Sequence, residues 1–325
     1  MKAIILSNRH NDAQNVYTPA EIGQIQQLFD CDGKYYTGEQ LQDTDVIFST
    51  WGMPKLTEDE IKEKLPSLKA IFYGAGTVKY FAQPYLNCGV QIFSAWQANA
   101  IPVIETCLAQ ILLANKGFFH LAPLTKENYK AAAAENKYFP GNYATKVGLI
   151  GLGAIGMGVL EKLKQYDLKI YVYSSKVTKE NQAQWGVKAA TLEEIFSQCN
   201  VISNHLANVP ATVGVLNEKL FSLMQPRTTF INTGRGAQVD EQALIQKLQA
   251  DPSIVAILDV TYPEPPVKNS PLYTLPNVIL TPHSAGSSGN EVRRMAQYMI
   301  DESHRWINGE ACFYEVKQEM LPTMA

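Results

Sequence analysis

Three ionisable residues in the C-terminal half of the chain each follow a short apolar run. Arg235 stands between two glycines in "INTGRGAQVDE", Glu264 lies in "AILDVTYPEPP", and His283 lies in "VILTPHSAG". Taken singly, each has an ordinary interpretation as a solvated loop charge or a structural hydrogen-bonding group. An arginine, a carboxylate and a histidine that shared one crevice could instead bind an anion and move a proton.

A glycine-rich segment precedes these residues. The stretch "KVGLIGLGAIGMGVL" places Gly151, Gly153 and Gly156 in GxGxxG spacing, after an apolar strand and at the start of a helix near Ala154 and Ile155. The first glycine permits a tight turn, the second lets the backbone approach a pyrophosphate, and the third lets the helix pack on the strand. N–H groups at the helix N-terminus suit phosphates. We therefore predict a dinucleotide site, against the alternative of a glycine-rich turn without ligand.

The strand after this motif indicates which dinucleotide would bind. It ends in "YVYSSKVTKE", with Ser174, Ser175 and Lys176 where an NAD site usually has Asp or Glu. Two hydroxyl groups and an ammonium, with no carboxylate to repel it, could hold a 2′-phosphate. We expect NADP(H) to be preferred, with NAD(H) possible. A polar loop with a solvated Lys176 is the alternative.

Short apolar runs alternate with helical patterns around these residues. One series includes "AIILS", "DVIFST", "LKAIFYGAG" and "VQIFSA"; a second runs from "KVGLIG" to "NVILTPH", and an amphipathic helix follows. This βαβ rhythm predicts an α/β fold with two doubly wound parallel-sheet domains. Between the series, we expect one long apolar helix over residues 99–121, with Pro102 in its first turn, and a second helix over "KENYKAAAAENKY".

Composition restricts the function classes. The 325 residues suffice for two domains, and the net charge of -3 disfavours nucleic acid or an anionic membrane as a partner. The longest apolar runs look too short to cross a bilayer, and the apolar core of the N-terminus is too short for a signal peptide. Five scattered cysteines without a CxxC suit reduced thiols in a cytoplasmic protein, and no metal-ligand spacing appears.

Several motifs together resemble the D-isomer-specific 2-hydroxyacid dehydrogenase family. They are "ANAIPVIE", "GLGAIG", "NTGRG…VDE.AL", "LDV…EP" and "PLYTLPNVILTPHSAG", in the family's order and spacing. The resemblance covers almost the whole chain. It implies a Rossmann dinucleotide-binding domain, residues 99–290, inserted into a flavodoxin-like substrate domain made of residues 1–98 and 291–325. It also implies a small 2-keto acid substrate and a homodimer.

The resemblance also implies roles for single residues. Arg235 would bind the carboxylate and carbonyl oxygen of the keto acid, and its flanking glycines would let substrate and cofactor come close. His283 would be the general acid that protonates the carbonyl oxygen as hydride arrives, and Glu264 would hydrogen-bond its other ring nitrogen. Asp259 would orient the nicotinamide carboxamide, with backbone around Thr233.

Further residues would complete the two binding sites. His205 and Thr212 would lie beside the cofactor, although Ala207 stands where the family usually has proline. Backbone N–H groups around Ala75 and Gly76 in "FYGAGTV" would bind the substrate carboxylate. Trp51 in "STWGMP" would line the substrate side chain, and ordinary loop packing is an equal alternative for it.

Two other functions stay open at the level of sequence. One is a dehydrogenase of a non-keto substrate such as phosphite, because relatives use this scaffold in that way. The other is a non-enzymatic nucleotide-sensing protein resembling corepressors of this family, since such proteins can keep Arg235, Glu264 and His283. A turnover assay separates the two classes.

Overall fold

The computed structural model describes residues 1–38 and 41–322. The chain divides into two compact units. The first comprises Met1–Ala100 and the segment from Ser287 onward, and the second comprises Ile101–Gly286. The divisions thus fall after Ala100 and Gly286, whereas the sequence places them after residues 98 and 290.

The strands of the described residues are short and most of them are buried, which explains why those strands read as continuous apolar runs. In chain order they are β1 Ala3–Leu6, β2 Tyr35–Tyr36, β3 Val46–Ser49, β4 Ala70–Tyr73, β5 Gln91–Ser94, β6 Lys146–Ile150, β7 Lys169–Tyr173, β8 Val187–Ala189, β9 Val201–Asn204, β10 Thr229–Asn232, β11 Val255–Leu258, β12 Val278–Leu280 and β13 Glu315–Val316.

The α-helices cover the faces of the sheets. They are α1 His10–Val16, α2 Pro19–Leu28, α3 Glu58–Lys64, α4 Ala82–Asn87, α5 Trp96–Asn115, α6 Phe118–Glu127, α7 Tyr129–Glu135, α8 Ala154–Leu163, α9 Asn181–Trp185, α10 Leu192–Gln198, α11 Glu218–Ser222, α12 Glu241–Ala250 and α13 Val292–Ile307. Capping boxes begin α2, α3 and α10, where a threonine is followed three residues later by a glutamate.

Each unit contains one doubly wound sheet. In the first unit the strand order is β2-β1-β3-β4-β5-β13, parallel except for β13, which is antiparallel to β5. Its five parallel strands have the flavodoxin-like order. In the second unit the order is β8-β7-β6-β9-β10-β11-β12, and all pairs are parallel. This is the Rossmann order with one strand added, so the structure confirms the predicted fold class.

The C-terminal helix α13 belongs to the first unit. Its buried residues Met295 and Met299 pack in one core cluster with Phe72 and Phe93 of the sheet. Arg293 on the same helix forms an ion pair with Glu21 of α2 at 2.9 Å. Both chain ends therefore contribute to this unit.

Two predicted helices differ from the observed ones. The helix expected over residues 99–121 begins earlier, at Trp96, so that Pro102 lies inside α5 rather than in its first turn. It then breaks at Gly117, which has a φ of 69° and packs so closely on Phe139 that a Cβ would lie 2.4 Å from the ring. The helix expected over "KENYKAAAAENKY" is divided at Asn128, whose side chain caps α7 by accepting a hydrogen bond from Ala131 N.

Helix α5 is long. Its 20 residues contain Glu105 as their only charged side chain, and by length and composition it could cross a membrane. The core helix of a soluble protein passes the same test. The expectation that every apolar run is too short to span a bilayer is therefore wrong for α5.

Candidate active site

The site residues of the second unit follow one row of aligned strand ends. Strand register places Ile150, Tyr173, Asn204, Asn232, Leu258 and Leu280 side by side at the carboxyl edge of the sheet. The residues that follow them are Gly151, Ser174, His205, Thr233, Asp259 and Thr281. Ligands of open α/β sheets bind at this edge. The sheet therefore brings together residues that lie up to 130 positions apart in the sequence.

The glycine loop has the geometry of a phosphate cradle. Gly151 has a φ of 90°, and a Cβ there would lie 2.6 Å from the carbonyl oxygen of His205. A Cβ at Gly156 would lie 2.1 Å from the Gly151 oxygen, so this glycine lets α8 pack on the turn. A Cβ at Gly153 would meet nothing within 4 Å, which leaves open space at the N-terminus of α8 beside Ala154 and Ile155. An anion fits this space.

The end of β7 lies next to the glycine loop, because Gly151 N donates to Tyr173 O at 2.8 Å. Ser174 then begins a turn in which its hydroxyl oxygen accepts from Lys176 N at 3.2 Å. Ser175 and Lys176 are exposed. Ser174 is partly exposed, and none of these three residues carries a carboxylate.

His205 forms a wall of the same loop. The residue is 8% exposed, and its Nε2 atom is buried with no partner in the described part of the chain. Burial lowers its pKa to about 4, so the ring is neutral at physiological pH. Thr212, in contrast, uses its hydroxyl proton locally, since Oγ1 lies 2.7 Å from Ala207 O and 2.9 Å from Val209 O.

The glycines around Arg235 serve the packing of the protein itself. A Cβ at Gly236 would lie 2.0 Å from the carbonyl carbon of Thr261, so the Arg235 loop rests directly on the backbone that follows β11. A Cβ at Gly234 would lie 3.0 Å from Oε1 of Gln238. These glycines therefore allow close approach between neighbouring loops, and their making room for ligands stays a prediction.

The guanidinium group of Arg235 is partly buried and oriented by its own loop. Its Nη1 donates to Gly234 O at 2.8 Å. Desolvation lowers its pKa, and the negative charge of nearby Glu264 partly offsets that effect. Such a group remains protonated in proteins and attracts an anion more strongly than a fully hydrated one.

His283 and Glu264 form a pair. His283 Nδ1 lies 2.7 Å from Glu264 Oε1, and the two side chains are 48% and 43% exposed. This contact leaves Nε2 of His283 available to another proton donor or acceptor. Both residues line an open cleft of about 440 Å³ together with Asp259, Thr261, Tyr273 and Leu280.

Asp259 holds the His283 loop. Its carboxylate is 3% exposed. Oδ1 accepts from Thr281 Oγ1 at 2.5 Å and from Ser284 N at 2.8 Å, and Oδ2 accepts from Ala285 N at 3.0 Å. His283 itself has a φ of 53°, and its N–H donates to Asp259 O at 3.0 Å. Three of about four lone pairs of the carboxylate are occupied, so at most one remains for a cofactor group.

Thr233 is supported from below by Cys107 of α5. Its hydroxyl lies 3.1 Å from Cys107 Sγ. Burial raises the pKa of the Cys107 thiol to about 11, so the sulfur carries its proton at neutral pH. The local sequence around Cys107 and Thr233 does not predict this contact, because the two residues lie 126 positions apart.

The remaining predicted residues, Trp51, Ala75 and Gly76, belong to the first unit. Trp51 is partly buried and packs against two core clusters, and its carbonyl accepts from Ser7 Oγ at 2.7 Å. Ala75 N already donates to Tyr73 O at 2.8 Å, so this amide is unavailable to a substrate. Gly76 N has no acceptor among the residues that the structure describes. Its carbonyl is held by Ser94 Oγ at 2.5 Å.

A buried amide network was missed from the sequence. Asn204, Asn232 and Gln238 are each at most 1% exposed and bond to one another beneath the Arg235 loop. Their only sequence signal is a polar residue at or just beyond a strand end.

Over residues 1–38 and 41–322, no group of three or more His, Cys, Asp or Glu side chains could hold a metal ion.

Comparison with known proteins identifies the family of the chain. The model of the NAD binding domain of D-isomer specific 2-hydroxyacid dehydrogenases matches residues 108–285. A D-3-phosphoglycerate dehydrogenase of Methanocaldococcus jannaschii is 28% identical over 326 residues, which cover 99% of this chain and 60% of that protein. The chain thus spans little more than half the length of that relative.

Solved structures share the fold. A D-isomer specific 2-hydroxyacid dehydrogenase of Lactobacillus delbrueckii ssp. bulgaricus, in its NAD complexed form, has a TM-score of 0.74 and 19% identity, covering 98% of this chain and 100% of that chain. An acyclic imino acid reductase in complex with NADPH and D-Arg has a TM-score of 0.72 and 24% identity with the same coverage. Because the family model matches more than half of its residues, this chain belongs to the D-isomer specific 2-hydroxyacid dehydrogenase family.

Proposed function

We propose that this protein is an NAD(P)-dependent oxidoreductase that interconverts a small 2-keto acid and the corresponding D-2-hydroxy acid. The observation that carries the proposal is the His283–Glu264 pair, 2.7 Å apart, in the same unit and at the same sheet edge as the glycine loop and Arg235. An acid/base group, an anion-binding group and a dinucleotide cradle are the three parts that this reaction requires.

Arg235 binds the substrate in this proposal. Its planar fork can hold the carboxylate and the carbonyl oxygen of a 2-keto acid together, and it stabilises negative charge that develops on that oxygen. Its loop is held against the Thr261 backbone, so the guanidinium is positioned before substrate arrives.

His283 moves the proton. In the reductive direction its Nε2 donates a proton to the carbonyl oxygen, and in the oxidative direction the same atom accepts the proton of the hydroxyl group. Glu264 accepts a hydrogen bond from Nδ1, which fixes the orientation and the tautomer of the ring. Asp259 keeps the loop in place through its three hydrogen bonds.

The residues of the glycine loop fit a nicotinamide dinucleotide. Gly153 leaves open space at a helix N-terminus, and His205 offers a buried ring nitrogen that lacks a partner in the described residues. When bound, the nicotinamide supplies or accepts the hydride. We propose that Ser174, Ser175 and Lys176 favour NADP(H), because they present hydroxyl groups and a cation with no carboxylate.

We also propose a homodimer. Leu113, Phe118, Tyr129, Tyr138 and Tyr143 lie within one segment of the second unit and are between 40% and 76% exposed. We propose that they contribute to one contact surface, since a contiguous exposed apolar patch marks such a surface. The five cysteines are free thiols, which suits the reducing cytoplasm.

The test is initial-rate oxidation of NADPH and NADH against a panel of 2-keto acids, from glyoxylate and pyruvate to hydroxypyruvate and branched or aromatic members. We expect turnover of at least one acid and a higher kcat/KM with NADPH. Preference for NADH would overturn the cofactor assignment alone. Nucleotide binding without any turnover would overturn the proposed reaction.

A further inference from the structure

The carboxamide of Gln238 is buried between two loops of the proposed site. The residue is 1% exposed. Its Oε1 accepts from Asn204 Nδ2 at 2.7 Å and from Arg235 N at 3.3 Å. Its Nε2 donates to Leu206 O and to Ala207 O, each at 3.0 Å. All four hydrogen-bonding positions of the amide are therefore occupied.

An apolar side chain of the same size would fill this space without any desolvation cost. A buried amide has to recover that cost through the bonds it makes, and each bond of Gln238 joins a different backbone or side-chain group. The acceptor half holds the loop of Arg235. The donor half holds the backbone of Leu206 and Ala207, which follows β9.

The backbone held by the donor half adjoins the nucleotide cradle. The His205 carbonyl lies so close to Gly151 that a Cβ there would approach within 2.6 Å. The same network continues on the other side, where Asn204 Nδ2 donates to Asn232 Oδ1 at 3.0 Å and Gly234 N donates to the same oxygen at 3.1 Å. One connected set of amides thus links the backbone of residues 205–207, beside the nucleotide cradle, to the Arg235 loop.

We propose that Gln238 is a positioning residue that couples nucleotide binding to the anion-binding arginine. Its amide N–H groups fix the Leu206–Ala207 backbone beside the nucleotide cradle, and its oxygen fixes the backbone of Arg235. The inference rests on the proposed function for the role of Arg235. It does not depend on which keto acid is the substrate. Since the two halves of the amide hold different loops, substitutions that remove one half or both should have different kinetic effects.

Two substitutions separate the halves. Gln238→Met preserves volume and removes both, so we expect the Kd for NADPH and the KM for the keto acid each to rise about five- to tenfold. Gln238→Glu retains an acceptor for Arg235 and Asn204 but places a carboxylate against two carbonyl oxygens. We expect it to raise the NADPH Kd about tenfold at pH 8 and to leave the KM at saturating nucleotide within about twofold.

A pH series distinguishes positioning from simple loss of structure. The protonated carboxyl group introduced by Gln238→Glu regains an O–H donor, so NADPH affinity should recover as the pH falls from 8 to 6, relative to wild type. Kd is measured by nucleotide fluorescence, which needs no turnover. Gln225→Met and Gln225→Glu are matched controls, because Gln225 is exposed in the same unit and its side chain donates to Leu223 O of its own loop.

Equal changes in both constants for the two Gln238 variants, without recovery at low pH, would overturn the proposal, as would constants within twofold of wild type. If Gln238→Met does not fold, the Gln238→Glu series alone decides through its pH dependence. Absence of wild-type turnover would contradict the proposed function instead. The nucleotide Kd values would still test whether Gln238 holds the Leu206–Ala207 backbone for nucleotide binding.

Discussion

Replacing Asp259 by asparagine should slow the reaction more than it weakens nucleotide binding. The side chain keeps its size, but only one acceptor oxygen remains for three donors: Thr281 Oγ1, Ser284 N and Ala285 N. The new NH₂ group faces at least one of these donors in a site that is 3% exposed at Asp259. The change therefore removes a bond to a charged acceptor and leaves a buried donor unpaired.

The magnitude follows from the local balance. A hydrogen bond to a charged group contributes about 1.5–3 kcal/mol, and an unpaired buried donor costs about 1–3 kcal/mol. His283 is held at a φ of 53°. A non-glycine residue in that region stores about 1–3 kcal/mol of strain, so a loss of about 3 kcal/mol lets the loop relax. We expect kcat/KM to fall about a hundredfold, since each 1.4 kcal/mol is roughly a factor of ten.

The assay is steady-state kinetics together with nucleotide titration. The NADPH Kd should change by less than about tenfold, because at most one lone pair of the carboxylate is free for the cofactor. Asp240→Asn is the matched control, as Asp240 is exposed and caps α12 through Ala243 N; it should retain kcat. An unchanged kcat in Asp259→Asn, or an effect confined to the nucleotide Kd, would contradict this role of Asp259.

Three further predictions concern other parts of the site. Arg235→Lys loses the bidentate fork and should raise the KM for the keto acid at least tenfold, while the nucleotide Kd stays within about twofold; an unchanged KM would contradict the anion-binding role. Ser174→Asp should lower kcat/KM for NADPH about tenfold or more through repulsion of the 2′-phosphate, with NADH as internal control; equal loss with both nucleotides would contradict the NADP assignment. Burial lowers the pKa of His205 from 6.5 to about 4. As the pH falls from 6.5 to 4, this histidine is therefore protonated in the unfolded chain but not in the folded one. His205 should therefore cost about 3 kcal/mol of stability between pH 6.5 and 4. His205→Gln should flatten the fall in urea-unfolding free energy over that range, and an unchanged slope would contradict the assignment.

Local patterns explain how much of this site could be predicted from the sequence. Buried parallel strands read as apolar runs, so the residue after each run lies at the carboxyl edge whatever the rest of the chain does. Gly151 and its neighbours are recognisable because the turn, the phosphate cradle and the start of the helix are contiguous in the sequence. The contact of His283 with Glu264 was predicted from the family resemblance, and the structure places the two side chains within hydrogen-bonding distance.

Contacts between distant segments could not be predicted in this way. Gln238 meets Asn204 across 34 positions, and nothing in either local pattern indicates the other. The three bonds of Asp259 depend on the path of the chain after β12. The break at Gly117 depends on the ring of Phe139, which lies beyond two further helices. In each case the partner is set by tertiary packing.

We propose that the chain reduces a 2-keto acid at C2, with His283 as the acid and Arg235 as the anion-binding group. The most direct measurement uses NADPH carrying deuterium at the transferable C4 position and the best keto acid of the panel, followed by chiral chromatography and mass spectrometry of the product. We expect one deuterium at C2 of the D-2-hydroxy acid, and loss of that product in His283→Gln. Unlabelled product, the L isomer, or undiminished labelling in His283→Gln would contradict it.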